Sequence, residues 1–391
     1  MKKKVVFFIG GLNYGGMERV VFIAEKLLRD IYDIKIVTLY QENADYEVKK
    51  EYYNIDIPPS KNKLKIFIRR LIGTIKMKKE LKPDIVFSFG MYLNYLNIIS
   101  DFFGLQKTKK IVGIRSYDWL LYPFFNKKID KWIIKKADKV NSVSKEIAEK
   151  AEEVWKIDKN KNNVIYNPYN IEEIEEKSKE KIDDFIFDDD YYYIVTAGRL
   201  VDQKGFNHLI RAINEVININ HEIKIKVLIL GNGSRKKDLE NMIMKYNLQD
   251  TVILLGGKKN PLKYMKKANL YVMSSLNEGF PNALAEAMCI GTPIVTVNCK
   301  SGPLELLNEE KFIYKNEDFY ICDYGILSKE LVPDKNYSKK NISLEEKALS
   351  KAILYAYNHK EKMQELAIKA KENMKKYNYD IFKENLIKEL E

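Results

Sequence analysis

Short β-rich runs alternate with amphipathic helical stretches from residue 4 to about residue 297. This βαβ succession restricts the chain to mainly parallel sheets covered by helices. In the first half, strands are expected at Lys4–Ile9, Ile34–Leu39, Ile85–Ser88, Lys110–Ile114, Val140–Val143 and Val164–Tyr166. The helical stretches between them are Met17–Arg29, Leu64–Glu80, Tyr92–Phe102, Phe125–Ala137 and Lys145–Val154. The alternation breaks at Asn167-Pro168 and gives way to a charged linker, Ile171–Asp190. It restarts with strands at Tyr191–Ala197, Lys226–Leu230, Val252–Leu255, Leu270–Met273 and Pro293–Val297. Helices are expected there at Phe206–Val216, Lys236–Tyr246, Pro261–Lys267 and Asn282–Met288. After Pro303 the pattern fades until an amphipathic tail, Leu344–Leu390, which either packs on the second domain or returns to the first. A length of 391 residues suits two such domains, divided near residue 168.

Composition removes several classes. The longest uncharged run, Ile85–Ser100, has 16 residues and includes Ser88, Asn94 and Asn97. It falls short of the roughly 20 apolar residues that span a bilayer. The apolar run after the N-terminal lysines is too short for a secretory leader and reads as a strand. Three cysteines without a C-x-x-C suggest neither a disulfide framework nor a zinc site, and a cytoplasmic location is expected. Met1–Ile165 carries 33 Lys+Arg against 20 Asp+Glu, whereas the remainder has 34 against 35. The whole basic excess therefore lies in one half, which would face something anionic.

In parallel sheets, ligands gather beyond the carboxyl ends of strands, where helix N-termini favour anions. Gly10-Gly11-Leu12-Asn13-Tyr14-Gly15-Gly16 follows the first strand. Its glycines would let a phosphate or sugar approach the backbone, or would simply make a tight connection. Gly198-Arg199-Leu200-Val201-Asp202-Gln203-Lys204-Gly205 places two cations in one turn, a suitable clamp for a diphosphate. Gly231-Asn232-Gly233-Ser234 reads equally as an ordinary turn. Glu278 precedes a helix that contains Glu286, so both carboxylates could face a ligand at its positive end. The amides of Gly279 and Phe280 could meet phosphates. Asp188-Asp189-Asp190 reads as solvated linker, and no metal is expected.

Taken together, these motifs resemble the family-4 retaining glycosyltransferases of the GT-B fold, particularly those of bacterial capsule, O-antigen and glycan assembly. The resemblance rests on the Gly-Gly turn with Glu18-Arg19, on Gly198-Arg199 with Lys204-Gly205, and on the Glu-x7-Glu of Glu278 and Glu286. Gly291-Thr292-Pro293 and Ser301-Gly302-Pro303 with Glu305 follow in matching order. It implies two Rossmann-like doubly wound domains facing a cleft: 1–168 for the acceptor and 169–364 for the nucleotide sugar, with about 365–391 returning as a helix to the first. Arg199, Lys204 and Glu278 would then be catalytic, the cations on the diphosphate and Glu278 on hydroxyls of the transferred sugar. Gly15, Gly16, Gly256, Gly257, Lys258, Gly279, Phe280, Asn282 and Glu286 would bind the donor, with Glu286 on the ribose. Many relatives place a histidine beside the reacting sugar, but this chain has only His208, His221 and His359, none of them in that domain. Arg115 and Asp118 stand at the corresponding strand end as acceptor-side candidates.

The expected reaction moves a sugar from a nucleotide diphosphate, with uridine as the expected base, to a glycan or polyprenyl-linked hydroxyl. No cofactor is expected. A nucleotide-sugar epimerase, a phosphorylase and a non-catalytic basic membrane-binding protein are the alternatives. An anionic membrane surface is the expected docking partner, at the inner face of the cell membrane; no motif accompanies the charge to suggest nucleic acid. Leu64, Phe67, Ile68, Leu71 and Ile75 fall at helical spacing, with Lys65, Arg69 and Lys76 on another face. Trp119, Phe124 and Phe125 form an aromatic segment bordered by lysines.

Overall fold

The computed structural model describes residues 2–12, 15–41, 52–104, 107–121, 125–309, 317–334, 336–337 and 341–391. The chain divides into two units, Met1–Pro168 with Tyr379–Glu391, and Tyr169–Asn378. Among the described residues of the first unit, seven strands form a parallel sheet in the order β3-β2-β1-β4-β5-β6-β7. They are β1 (Lys4–Ile9), β2 (Asp33–Thr38), β3 (Tyr53–Asn54), β4 (Ile85–Phe89), β5 (Lys109–Ile114), β6 (Lys139–Ser142) and β7 (Asn162–Val164). The helices are α1 (Gly16–Leu28), α2 (Lys63–Leu81), α3 (Met91–Phe103), α4 (Asp118–Leu121), α5 (Lys127–Ile134) and α6 (Lys145–Trp155).

Strand β1 shows why both faces are covered. Its side chains alternate between two apolar clusters, Val5, Phe7 and Ile9 in one and Val6 and Phe8 in the other. The first cluster includes Val21, Ala24 and Leu28 of α1, and the second Met77 of α2 with Leu93 and Leu96 of α3.

The second unit repeats this plan with the order β10-β9-β8-β11-β12-β14-β13. Its strands are β8 (Tyr192–Ala197), β9 (Ile225–Leu230), β10 (Val252–Gly256), β11 (Leu270–Met273), β12 (Ile294–Val297), β13 (Phe319–Ile321) and β14 (Ile326–Ser328). All pairs are parallel except β13 with β14. Its helices are α7 (Ile171–Ser178), α8 (Phe206–Ile219), α9 (Lys236–Lys245), α10 (Leu262–Lys267), α11 (Asn282–Ile290), α12 (Pro303–Leu307), α13 (Leu344–Asn358) and α14 (Lys360–Asn373).

Two sequence expectations change. The charged stretch after Pro168 is not a bare linker, because its first part is α7, capped by Asn170, whose side chain accepts from the Glu173 N–H. Further on, Phe187 packs on Tyr193 with ring centroids 4.6 Å apart. The tail also stays with the second unit longer than expected. Met363, Leu366, Ala367 and Ala370 of α14 are buried there. Only a last helix, α15 (Tyr379–Leu390), belongs to the first unit, where Phe382, Leu386 and Leu390 join the cluster of Phe7. Its end is held by charge: Lys139 Nζ donates to the Lys388 carbonyl at 2.7 Å and Lys109 Nζ to that of Glu389 at 3.2 Å. These are the orphan carbonyls of a helix C-terminus, which cations satisfy and stabilise.

Candidate functional site

The strand order of the second sheet reverses between β8 and β11, so their outgoing connections diverge and leave a crevice beyond their carboxyl ends. The loop after β8 carries Arg199 and Lys204, and the loop after β11 carries Glu278. The two loops are tied together. Ser274 Oγ donates to the Lys204 carbonyl at 3.0 Å, Leu276 N donates to the Gln203 carbonyl at 2.8 Å, and Gln203 Nε2 reaches the Asn277 carbonyl at 3.0 Å. Gly205 makes this approach possible. Its φ is +60°, and a Cβ there would lie 2.0 Å from the Ser274 carbonyl oxygen.

Lys204 Nζ consequently donates to Glu278 Oε1 at 2.6 Å. The Glu278 residue is only 8% exposed, so its carboxylate depends on this ammonium for charge compensation. Arg199 lies beside the pair in sequence but is exposed, with no ion-pair partner among the described residues. Asp202, between them, is held by Arg235, whose Nε and Nη2 donate to its two oxygens at 2.8 and 2.9 Å. The Tyr337 hydroxyl donates to the same carboxylate at 2.7 Å. Sequence reasoning missed this clamp, since Asp202 and Arg235 are far apart in the chain and neither spacing nor periodicity links them.

Helix α11 starts just after Glu278, behind Pro281. Phe280 turns its ring inward between Tyr169 and Tyr377, with centroids at 6.5 and 5.7 Å, so only the backbone of Gly279 and Phe280 can serve a ligand. Asn282 Oδ1 accepts from the Tyr169 hydroxyl at 2.6 Å, which fixes the first residue of the helix. Glu286 lies one turn further on, partly exposed. Burial pushes the Tyr271 phenol well above its ordinary pKa, and the charges of Glu278 and Glu286 push it further. Both carboxylates therefore gather about the same strand, β11.

At the neighbouring strand ends, a Cβ on Gly231 would lie 1.8 Å from the Gly198 carbonyl oxygen, so that glycine turn serves close packing. Asn232 Oδ1 accepts from Gly257 N at 3.1 Å, which positions the turn of Gly256 and Gly257. Lys258 is paired with Asp184. Its hydrogen bond, then that of the Tyr264 hydroxyl, holds the Asp184 carboxyl down to about 2.

The first-unit candidates lie elsewhere in that unit's own sheet. Gly15 caps α1 and Gly16 opens it. A Cβ on Gly15 would lie 2.2 Å from Glu18 Oε2, so the Glu18 side chain folds over the helix start. Arg115 is partly exposed: Nη2 donates to Asn141 Oδ1 at 2.6 Å and the guanidinium lies 5.2 Å from the centre of the Phe89 ring. Burial lowers its pKa to about 10, against the opposing charge of Glu389 on α15. That is a packed position, close to the helix that returns. Asp118 opens α4, and burial raises its pKa. Phe124 lies outside the described residues. Among the described residues no group of three or more His, Cys, Asp or Glu side chains could hold a metal ion, and no helix is long and apolar enough to cross a membrane.

Comparison with known proteins identifies the family. Residues 14–173 match the family described as Glycosyltransferase Family 4, and residues 177–319 match Glycosyl transferases group 1. An uncharacterised glycosyltransferase of Methanocaldococcus jannaschii is 31% identical over 84% of this chain and 85% of its own length. The N-acetylgalactosamine-N,N'-diacetylbacillosaminyl-diphospho-undecaprenol 4-alpha-N-acetylgalactosaminyltransferase of Campylobacter jejuni is 30% identical over 79% of this chain and 85% of its own. Among solved structures, Anabaena HepE in complex with UDP and glucose superposes with a TM-score of 0.76 at 15% identity, covering 100% of this chain and 99% of that one. Two Rossmann-like sheets, the matched families and these relatives lead to one conclusion: the chain belongs to the group 1 and family 4 glycosyltransferases, enzymes of the GT-B fold that draw on a nucleotide sugar.

Proposed function

We propose that the enzyme moves a sugar from a uridine diphosphate sugar, with retention of anomeric configuration, to a hydroxyl of a lipid-linked glycan in bacterial surface polysaccharide or glycan assembly. The observation that carries this reading is the Lys204–Glu278 pair at the reversal point of the second sheet, 2.6 Å apart, on the loop that also carries Arg199, which has no ion-pair partner among the described residues. The two cations meet the diphosphate. Glu278 turns to the hydroxyls of the transferred sugar, Glu286 takes the ribose, and the amides of Gly279 and Phe280 face phosphate oxygens. The Gly256–Gly257 backbone lies near the base. As the bond from the anomeric carbon to the diphosphate breaks, negative charge grows on the leaving oxygen, where Arg199 and Lys204 stabilise it. The acceptor oxygen attacks from the same face and its proton passes to the departing phosphate. The Campylobacter relative's lipid-linked acceptor and the uridine nucleotide of the Anabaena complex support this choice of partners.

The two carboxylates separate the roles experimentally. Glu286→Ala should raise the donor KM about tenfold with kcat largely kept, the sign of lost uniform binding. Glu278→Ala should instead lower kcat by about 10- to 100-fold while UDP affinity, read by calorimetry, holds. Wild-type transfer in Glu278→Ala, or unchanged UDP affinity in Glu286→Ala, would reject the assignment.

A further inference from the structure

We infer that Ser301 is a positioning residue of the donor site, which aims the Gly279 and Phe280 N–H groups at the diphosphate. Ser301 belongs to the Ser301-Gly302-Pro303 turn that follows β12. It is completely buried, so it acts on a ligand only through its neighbours. Those neighbours are the residues of the loop that carries Glu278.

Reciprocal backbone bonds join the two segments. Glu278 N donates to the Lys300 carbonyl at 2.5 Å, and Ser301 N donates to the Glu278 carbonyl at 3.2 Å. The Ser301 hydroxyl takes the next carbonyl along, donating to that of Gly279 at 2.9 Å, with the Glu278 carbonyl at 3.4 Å. One residue thus holds two consecutive carbonyls. In a trans peptide the C=O and the N–H point in opposite directions. The Glu278 carbonyl shares its peptide with the Gly279 N–H, and the Gly279 carbonyl shares its own with the Phe280 N–H. Both N–H groups are therefore turned away from the buried serine. Gly279 is partly exposed, and its N–H makes no hydrogen bond among the described residues.

Gly279 restrains neither peptide plane by itself, because glycine rotates readily about both of its backbone bonds. The prop that restrains them is anchored in the core of the second unit. Gly302 adopts a φ of +100° and presses on the residues after Gly279. A Cβ there would lie 2.6 Å from Pro281 Cδ and 3.5 Å from Phe280 Cα. The Gly302 carbonyl accepts from Leu306 N at 3.0 Å, so the turn runs straight into α12, whose Pro303, Leu306 and Leu307 are buried. Two successive amides aimed to one side attract an anion, and amides fixed in advance need no reorganisation when charge grows on it. Without the hydroxyl, the plane between Gly279 and Phe280 is free to turn, while the Ser301 N–H still holds the plane before it. This inference rests on the proposed contact of these amides with the diphosphate and names the residue that aims them.

The test compares UDP with uridine, which lacks the diphosphate. In calorimetric titrations, Ser301→Ala should weaken UDP binding about tenfold and leave uridine binding within about twofold of the wild type. Ser350→Ala serves as the control. Its hydroxyl is equally buried and donates to the Lys347 carbonyl at 2.8 Å, and its loss should leave both affinities at the wild-type level. Melting curves show that each variant is folded. A spectroscopic measurement needs no variant at all. Glu278-Gly279 is the one Glu-Gly pair in the sequence, so carbonyl-labelled glutamate with nitrogen-labelled glycine marks a single amide. In the wild type its NMR signal should move with UDP and stay in place with uridine, and the response to UDP should shrink in Ser301→Ala. Unchanged UDP binding by Ser301→Ala, equal weakening of UDP and uridine, or the same loss in Ser350→Ala overturns the inference. A wild-type Gly279 signal that ignores bound UDP overturns it too, whether or not Ser301→Ala folds. A wild type that binds neither UDP nor uridine would instead overturn the donor reading itself, so the two failures stay distinct.

Discussion

Replacing Lys204 by alanine is expected to lower kcat about 100-fold at saturating donor, and Arg199→Ala at least about tenfold, with the melting temperature of Arg199→Ala near that of the wild type and that of Lys204→Ala lower. Lys204 sits on Glu278 at 2.6 Å in the free enzyme. In the proposed mechanism, a diphosphate entering the crevice offers the ammonium a second anion. As the sugar departs, charge accumulates on that anion, so the interaction is stronger in the transition state than in the ground state and acts on kcat. Removing Lys204 also leaves the Glu278 carboxylate buried without its cation, which lowers the stability of this variant as well as its turnover. Arg199 is exposed, and in the proposed mechanism it would act through the diphosphate alone. Steady-state kinetics with thermal melting checks both points. Turnover by both variants at the wild-type rate would remove the clamp from the mechanism.

The second large effect is on stability. Glu346→Ala should destabilise the second unit by about 3–5 kcal/mol, because it strands a buried guanidinium. Arg211 Nε donates to Glu346 Oε1 at 2.6 Å, His208 Nδ1 lies 2.7 Å from the same oxygen, and Arg211 and Glu346 are each almost completely buried. Glu346 also closes a capping box with Ser343 at the start of α13. For a unit of this size the loss corresponds to a drop in Tm of roughly 10 °C. The double replacement Arg211→Met, Glu346→Leu should recover most of it, since it removes both charges together.

The pH dependence follows from the same group. Burial pushes the Glu346 carboxyl up, but the hydrogen bond from His208, the Ser343 backbone and Arg211 outweigh it and hold the pKa below the ordinary value. A carboxyl lowered on folding contributes stability above its unfolded pKa and loses that contribution as pH falls through the folded one. Wild-type stability should therefore decline below about pH 4, and the decline should be shallower in Glu346→Ala. Coincident melting curves for the wild type and Glu346→Ala would show that the network contributes nothing.

Much of the fold is legible in the sequence because apolar runs flanked by amphipathic stretches have few alternative arrangements. Lys4–Ile9 and Leu270–Met273 coincide with the strands found, and the interior helices differ from expectation by a few residues at their ends. What escaped did so for physical reasons. Helix α7 is hidden by Glu172, Glu173, Glu175 and Glu176, with Ile174 and Ser178 its buried side chains. The strands β13 and β14 have three residues each and are held by pairing across the sheet, which leaves little period to read. On α2, apolar residues on two faces give a pattern that reads as one stripe, and only burial separates Phe67 and Leu71 from Leu64 and Ile68.

The site divides in the same way. Lys204 and Glu278 stand out because each follows a strand end, yet their contact spans 74 residues and no local pattern encodes it. The same holds for Arg235 with Asp202 and for His208 with Glu346. Arg115 stood at a strand end in the sequence, but the absence of a side chain on Gly113 leaves room for it to fold back, with its Nε only 3.4 Å from where a Cβ would be. A position after a strand thus selects candidates, and packing sets how each side chain is held.

The most direct test of the proposed chemistry is the configuration of the new glycosidic bond. A panel of α-configured uridine diphosphate sugars is first screened for stabilisation of the enzyme, and the one bound is then supplied with a lipid-linked glycan acceptor. Proton NMR coupling at the anomeric centre of the product reads the outcome. Retention at a site built from Arg199, Lys204 and Glu278 predicts an α-linked product, formed with release of UDP only when acceptor is present. A β-linked product from the same α-donor would contradict the account.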